Sequence, residues 1–316
     1  MKILANDGIS NSGKEALETA GFEVITTTVA QEQLSNFINT NNIEALLVRS
    51  ATQVKSDVID ACPGLKLIGR GGVGMDNIAV DYAKSKNIAV VNTPAASSQS
   101  VAELVFAHLF GGVRFLHDAN RNMPLEGDTR FKALKKSYSK GSELRGKTLG
   151  IIGIGRIGKE VAKIGLGIGM NVIVSDKLTE EATVKVELFN GQGMDVNLKS
   201  IPLNDLLKQS DFITIHVPSQ KEYIIGKNEI DLMKKGVGII NASRGGVIHE
   251  VSLVEALNNN KVGFAGIDTF ESEPTPSVQI LMNPNASLSP HIGAATTEAQ
   301  DRIGLELADQ IIERFK

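Results

Sequence analysis

The chain has 316 residues, a length that accommodates about two domains of ordinary size. Hydrophobic residues make up 42% and charged residues 22%, enough apolar material for real cores, and the net charge of −3 includes no long basic or acidic block, which removes the usual electrostatic basis for binding nucleic acid or an anionic membrane. No stretch approaches the roughly 18 apolar residues of a membrane span, Lys2 and Asp7 charge the N-terminus too early for a secretory core, and the single Cys62 cannot form an internal disulfide, so a reducing cytoplasm is the expected setting.

Through the first third, short apolar runs alternate with helical patterns. Residues 2–5, 23–27, 45–48, 66–68 and 89–91 read as strands, with helical patterns such as 14–20, 32–39 and 80–84 between them. This alternation predicts a parallel, doubly wound sheet. Ser100 and Glu103 have capping-box spacing, which predicts one helix from Ser100 to about Ala119 with Leu104, Val105 and Leu109 on one face. The polar run 121–146 reads as irregular. A second alternating series follows, with strands at 148–152, 171–175, 212–216, 238–241, 264–268 and 286–289. Residues 297–315 read as a helix with Ile303, Leu307, Ile311 and Phe315 four apart. The expectation is an α/β protein of two doubly wound parallel-sheet domains joined by a long helix. The last helix is free to fold back onto the first domain. In segment 178–202, alternating runs flank Asn190-Gly191; an inserted β-hairpin and a single edge strand with a loop fit this pattern equally.

Gly153-Ile154-Gly155-Arg156-Ile157-Gly158 has the form G-x-G-x-x-G. It follows the strand 148–152, opens a helical pattern through Val161 and Ile164, and precedes a strand ending in Asp176, 18 residues after Gly158. That context is what the dinucleotide fingerprint of a Rossmann βαβ unit requires. Gly153 permits the tight turn, Gly155 lets the backbone approach a pyrophosphate, and Gly158 lets helix and strand pack closely. The helix N-terminus then meets the phosphate charge. Asp176 can accept hydrogen bonds from the adenosine ribose and would repel a 2′-phosphate, so the expected cofactor is NAD rather than NADP, with the neighbouring Lys177 softening the discrimination.

A cofactor that takes hydride needs a protein group for the accompanying proton. Of the five histidines, His108 and His117 fall on the predicted long helix and read as packing or surface residues. His216 ends a strand before Val217, where it would line the adenosine pocket or serve a structural role. His249 begins a helix and reads as solvated. His291 stands in Ser289-Pro290-His291-Ile292-Gly293, directly after a strand. Arg244 follows another strand within Asn241-Ala242-Ser243-Arg244-Gly245-Gly246, and Glu273 lies beyond the strand ending at Asp268. Successive strand ends lie side by side in a parallel sheet. An arginine to hold a carboxylate, a histidine to move a proton and a glutamate to orient and charge the histidine suit oxidation of a 2-hydroxy acid. Arg244, Glu273 and His291 are therefore the candidate catalytic set, and no metal is expected.

These residues, together with Val48-Arg49-Ser50-Ala51-Thr52, Gly69-Arg70-Gly71-Gly72-Val73-Gly74-Met75-Asp76-Asn77, Asn92-Thr93-Pro94 and Ala102-Glu103-Leu104, resemble the D-isomer-specific 2-hydroxyacid dehydrogenase family. The matching segments span nearly the whole chain in order. The resemblance implies a Rossmann NAD domain, 99–290, inserted in a flavodoxin-like substrate domain, 1–98 with 291–316, and a homodimer built on the NAD domain. It implies that Gly153, Gly155, Arg156, Ile157, Gly158, Asp176, His216, Val217, Ala242, Ser243, Asp268, His291, Gly293 and Ala294 serve NAD. It places the backbone of Val73 and Gly74 on the substrate carboxylate and Arg49, with Ser50, on a substrate phosphate, as for 3-phospho-D-glycerate. Val73 and Val217 stand where a hydroxyl residue is frequent, and His249 where an aspartate is usual. Two rival expectations remain: an unphosphorylated acid of the glyoxylate, hydroxypyruvate or D-lactate type, and an NAD-sensing binding protein of the corepressor kind.

Overall fold

In the computed structural model, which describes residues 1–316, the chain divides into two units, 1–100 with 294–316 and 101–293. In the first, β1 (Lys2–Ala5), β2 (Glu23–Ile25), β3 (Ala45–Val48), β4 (Leu67–Arg70) and β5 (Ala89–Asn92) form one parallel sheet in the order β2-β1-β3-β4-β5. This is the flavodoxin-like doubly wound order. All four residues of β3 are buried, because an uninterrupted apolar run suits a strand covered on both faces. On one face Leu34, Ile38, Val58 and Ile59 pack with Leu46 and Ile68; on the other Leu17, Ala308 and Ile311 pack with Ile3, Leu47 and Leu67. The C-terminal helix Thr297–Phe315 thus belongs to this unit. Thr296 caps it by accepting the Ala299 N–H at 3.1 Å. It meets the helix Asn11–Thr19 at two glycines so closely that a Cβ on Gly13 would lie 2.5 Å from the Gly304 carbonyl carbon.

In the second unit, β6 (Thr148–Ile152) and β7 (Asn171–Ser175) join β10 (Phe212–Ile215), β11 (Val237–Asn241), β12 (Val262–Ile267) and β13 (Ala286–Leu288) in a parallel sheet ordered β13-β12-β11-β10-β6-β7. The chain steps outward from β6 to β7 and then returns to the other side of β6 for β10. This topological switch opens a crevice at the carboxyl ends of β6 and β10. The segment between β7 and β10 forms an antiparallel hairpin, β8 (Glu181–Glu187) and β9 (Gly193–Lys199), resolving the alternative left open by the pattern. Ala182, Val184 and Leu198 tie it to the core, while Leu188 and Phe189 at its tip are exposed.

Two expectations fail between residues 98 and 146. Helix Ser98–Val113 begins before Ser100, whose Oγ pairs with Thr296 Oγ1 at 2.8 Å instead of capping. Phe115, at φ +55°, ends the run, and a second helix, Leu116–Ser137, occupies most of what reads as irregular sequence. Pro124 and Gly127 suggest breaks, yet the flanking Leu, Glu, Ala and Lys residues are good helix formers. The backbone is non-helical at Arg130, φ −120° and ψ 21°, where two helical stretches meet and the chain folds back. The Tyr138 hydroxyl donates to Asp118 Oδ2 at 2.8 Å and accepts from Asn122 Nδ2 at 2.9 Å, tying one end of the helix to the other. No helix is long and apolar enough to cross a membrane.

Candidate active site

The crevice is built first by glycines. At the end of β6 the chain turns through Gly153 at φ +92°, a conformation that side chains resist. A Cβ there would stand 2.3 Å from the carbonyl oxygen of His216, at the end of β10. A Cβ on Gly158, in the helix Arg156–Gly167, would stand 2.1 Å from the Gly153 carbonyl oxygen. Gly155 is different: nothing lies within 4 Å of its Cβ position, and no side chain caps the helix that starts after it. Open space, free backbone N–H groups and the positive end of a helix dipole make a cradle for phosphate.

Asp176 closes the far side. Its Oδ2 accepts the Ile154 N–H at 2.8 Å, and its Oδ1 accepts those of Leu178 and Thr179 at 2.8 and 3.0 Å. Burial alone would raise this carboxyl, but the backbone donors outweigh burial and hold it below the ordinary carboxylate value, so it is a firm anion at neutral pH.

Arg244, Glu273 and His291 sit on the loops that follow β11, β12 and β13, three adjacent strands. His291 Nδ1 lies 2.8 Å from Glu273 Oε2. Glu273 Oε1 accepts the Phe270 N–H at 2.9 Å, which fixes the carboxylate on its loop. A carboxylate only accepts, so Nδ1 carries a proton, and in the neutral ring Nε2 is then the free nitrogen. The two side chains are 42% and 36% exposed, enough to reach a ligand. The His291 backbone is left-handed at φ +55°, and Asp268 holds the next two amides: Oδ1 accepts Ile292 N–H at 2.8 Å and Oδ2 accepts Gly293 N–H at 2.9 Å. Asn241 fixes the Arg244 turn, donating to the Arg244 carbonyl at 2.9 Å and accepting from the Ser243 N–H and hydroxyl at 3.1 and 2.9 Å.

The profile of the D-isomer specific 2-hydroxyacid dehydrogenase NAD-binding domain matches residues 106–293. The chain belongs to this family. A hydroxypyruvate reductase of Thermotoga maritima is 40% identical over 99% of the chain and 98% of its own length. A D-3-phosphoglycerate dehydrogenase of Methanocaldococcus jannaschii is 40% identical over 98% of the chain, which spans only 57% of that relative's length. Among solved structures, a glyoxylate reductase from Paecilomyes thermophila superposes with a TM-score of 0.81 at 29% identity, covering 98% of this chain and 93% of that one. The NAD+-bound 3-phosphoglycerate dehydrogenase of Entamoeba histolytica superposes with a TM-score of 0.77 at 27% identity, covering 100% and 95%.

As a D-2-hydroxyacid dehydrogenase the protein uses NAD. The residues present fit that cofactor, since the space at Gly155 is what a Cβ would fill and Asp176 is the anion a ribose would meet. Arg156 and Ile157 form the first turn above the cradle, Val217 follows β10, and Ala242 and Ser243 follow β11. The ring of His216 is desolvated and its pKa falls to about 3; Nε2 pairs with Thr214 Oγ1 at 2.9 Å and Nδ1 is buried without a partner. It is therefore no acid or base at neutral pH. His249 is not simply solvated, because Nδ1 lies 2.7 Å from Ser252 Oγ and its ring is 4.7 Å from that of Tyr223. His108, read as packing or surface, is a fully bonded buried residue.

In the first unit, Asp7 Oδ2 accepts the N–H groups of Arg49 and Thr52 at 2.6 and 3.2 Å, and Asn77 Nδ2 donates to both their carbonyls at 2.7 Å. These bonds fix the loop that carries Arg49 and Ser50. Burial lowers the Arg49 guanidinium from its ordinary value, and the charge of the nearby Asp7 acts in the opposite direction. Val73 is 36% exposed and its carbonyl accepts from Asn92 Nδ2 at 2.7 Å, with Gly74 beside it. Arg70 stands next to the Arg49 loop. It ends β4 in register with Val48, donates from Nη1 to the Gly71 carbonyl at 3.1 Å, and lays its guanidinium where a side chain at Gly72 would stand. Only the pairing of β3 with β4 brings Arg49 and Arg70 to one end of the sheet.

Proposed function

We propose that the protein oxidises 3-phospho-D-glycerate to 3-phosphohydroxypyruvate, the reaction that opens serine synthesis. The observation that carries the reaction is the 2.8 Å pairing of His291 Nδ1 with Glu273. His291 Nε2 takes the proton of the C2 hydroxyl, and Glu273 stabilises the imidazolium that results. NAD held at the Gly155 cradle and Asp176 would supply the acceptor for the C2 hydride. Arg244 pairs with the substrate carboxylate and offsets charge on the C2 oxygen. In the first unit the backbone of Val73 and Gly74 holds the carboxylate, and Arg49 binds the phosphate. The protein partner is a second copy of the chain, and the exposed Leu116, Leu125 and Phe131 of helix Leu116–Ser137 provide apolar surface for it.

The hydroxypyruvate reductase matched over 98% of its own length supports a second reading, reduction of hydroxypyruvate, the same carbon skeleton without phosphate. Arg49 is a cation on a loop pinned by Asp7 and Asn77 just after β3, and a cation so placed favours the phosphorylated acid. A hydrogen bond to a charged group is worth about 1.5–3 kcal/mol, so Arg49→Ala is expected to raise KM for 3-phospho-D-glycerate by about 10- to 150-fold. Steady-state kinetics should show KM for hydroxypyruvate unchanged. An equal loss on both acids contradicts the phosphate role and favours the second reading.

A further inference from the structure

Beneath the His291 loop runs a buried polar chain that the proposed chemistry does not use. His108, on helix Ser98–Val113, is 5% exposed and packs on the backbone of β12, where a Cβ on Gly266 would lie 2.6 Å from His108 Cβ. Its Nδ1 is 2.9 Å from Ser287 Oγ and its Nε2 is 2.9 Å from Ser289 Oγ. The Ser289 hydroxyl donates to Asp268 Oδ1 at 2.6 Å. Asp268, 1% exposed, is the residue that grips the amides of Ile292 and Gly293.

The proton positions follow from what each group can do. A carboxylate only accepts, so Ser289 gives its single proton to Asp268. Its oxygen must then accept from His108 Nε2–H. His108 Nδ1 is left bare and accepts from Ser287. Burial pushes the His108 imidazole below its ordinary value, against a smaller pull from the charge of Asp268, which favours the neutral ring that this pattern needs. Every proton has one place, and the chain has one arrangement.

We propose that His108 is a positioning residue for the dehydrogenase reaction, acting through Ser289 and Asp268 to hold the His291 backbone in the left-handed turn that aims the base. The inference rests on the reading of His291 as the base. A non-glycine residue leaves that backbone region unless its neighbours hold it. Asp268 holds the two amides after His291 only while its own carboxylate is oriented, and the Ser289 hydroxyl is the side-chain donor that orients it. His108 in turn keeps the Ser289 hydroxyl pointed at Asp268 by occupying its acceptor side. A ring that merely filled space would leave the loop indifferent to its nitrogen atoms.

The test compares His108→Leu, His108→Gln and Ser289→Ala in the full-length protein. Glutamine places an N–H near the position of Nε2 and keeps the bond to Ser289; leucine fills volume without it. In His108→Leu, kcat is expected to fall about tenfold with the NADH dissociation constant within about threefold of native. Amide exchange at Ile292 and Gly293 is expected to speed up at least tenfold. His108→Gln is expected to restore both readouts to within about threefold. Ser289→Ala, which leaves the ring in place, is expected to reproduce the leucine result and covers the case in which His108→Leu does not fold. Native kcat and native exchange in Ser289→Ala overturn the proposal, as does a glutamine variant no better than leucine. Exchange at Ile292 and Gly293 reports on the relay even if His291 proves not to be the base, so the two failures are separable.

Discussion

Replacing His291 with asparagine is expected to lower kcat by about 100- to 10,000-fold, the range over which a positioned acid–base group contributes. NADH binding, followed by fluorescence titration, should stay within about threefold of native. Asparagine is the informative substitution because the backbone at 291 is left-handed, φ +55°, and asparagine tolerates that region better than alanine does. The loop clamped by Asp268 therefore survives, and the loss reads on the imidazole alone. A variant that keeps native turnover removes His291 from the chemistry, and the 2.8 Å contact with Glu273 would then be only a surface ion pair.

The second large effect separates two glycines that the sequence motif treats alike. Gly158→Ala puts a methyl group 2.1 Å from the Gly153 carbonyl oxygen, so the loop or the helix must move. Overpacking of this kind costs about 1–3 kcal/mol, and at about 2–4 °C per kcal/mol for a unit of this size the Tm should fall by several degrees. NADH binding should fail with it. Gly155→Ala adds its methyl to open space, with φ −68° and ψ −161° available to any residue. Its Tm should match native while its NADH dissociation constant rises at least tenfold, because the methyl occupies the phosphate cradle. Calorimetry and titration on both variants check the pair of outcomes. A Gly155→Ala protein that binds NADH normally would show that the cradle is not where the pyrophosphate lies.

The parts of the site that read clearly from sequence are those whose geometry is local. Gly153–Gly158 and Asp176 belong to a single βαβ unit, so their spacing along the chain is almost their spacing in space. That Arg244, Glu273 and His291 would lie on neighbouring loops was also legible, because strand ends in a parallel sheet are neighbours whatever lies between them. Arg70 was not, since its closeness to Arg49 depends on β3 pairing with β4 in the register Val48 to Arg70. The bonding of His108 was hidden for a similar reason: its partners Ser287 and Ser289 are about 180 residues away in sequence, and on an apolar helix a histidine reads as a packing or surface residue. The helical character of 116–137 was hidden because Pro124 and Gly127 are strong local signals of a break; the break does occur, at Arg130, and the bonds of Tyr138 to Asp118 and Asn122 hold the two arms together. The apparent capping box at Ser100 failed because that hydroxyl is taken by Thr296, far along the chain.

In the proposed reaction the cradle at Gly155 and the base at His291 serve one oxidation of a D-2-hydroxy acid. The most direct measurement is NADH absorbance with purified protein, NAD and a panel of acids: 3-phospho-D-glycerate, D-glycerate, D-lactate and L-lactate, with hydroxypyruvate and glyoxylate assayed in the reverse direction against NADH. NADH should form with 3-phospho-D-glycerate at the highest kcat/KM and not with the L isomer. Tight NADH binding with no turnover of any acid in the panel would contradict the account.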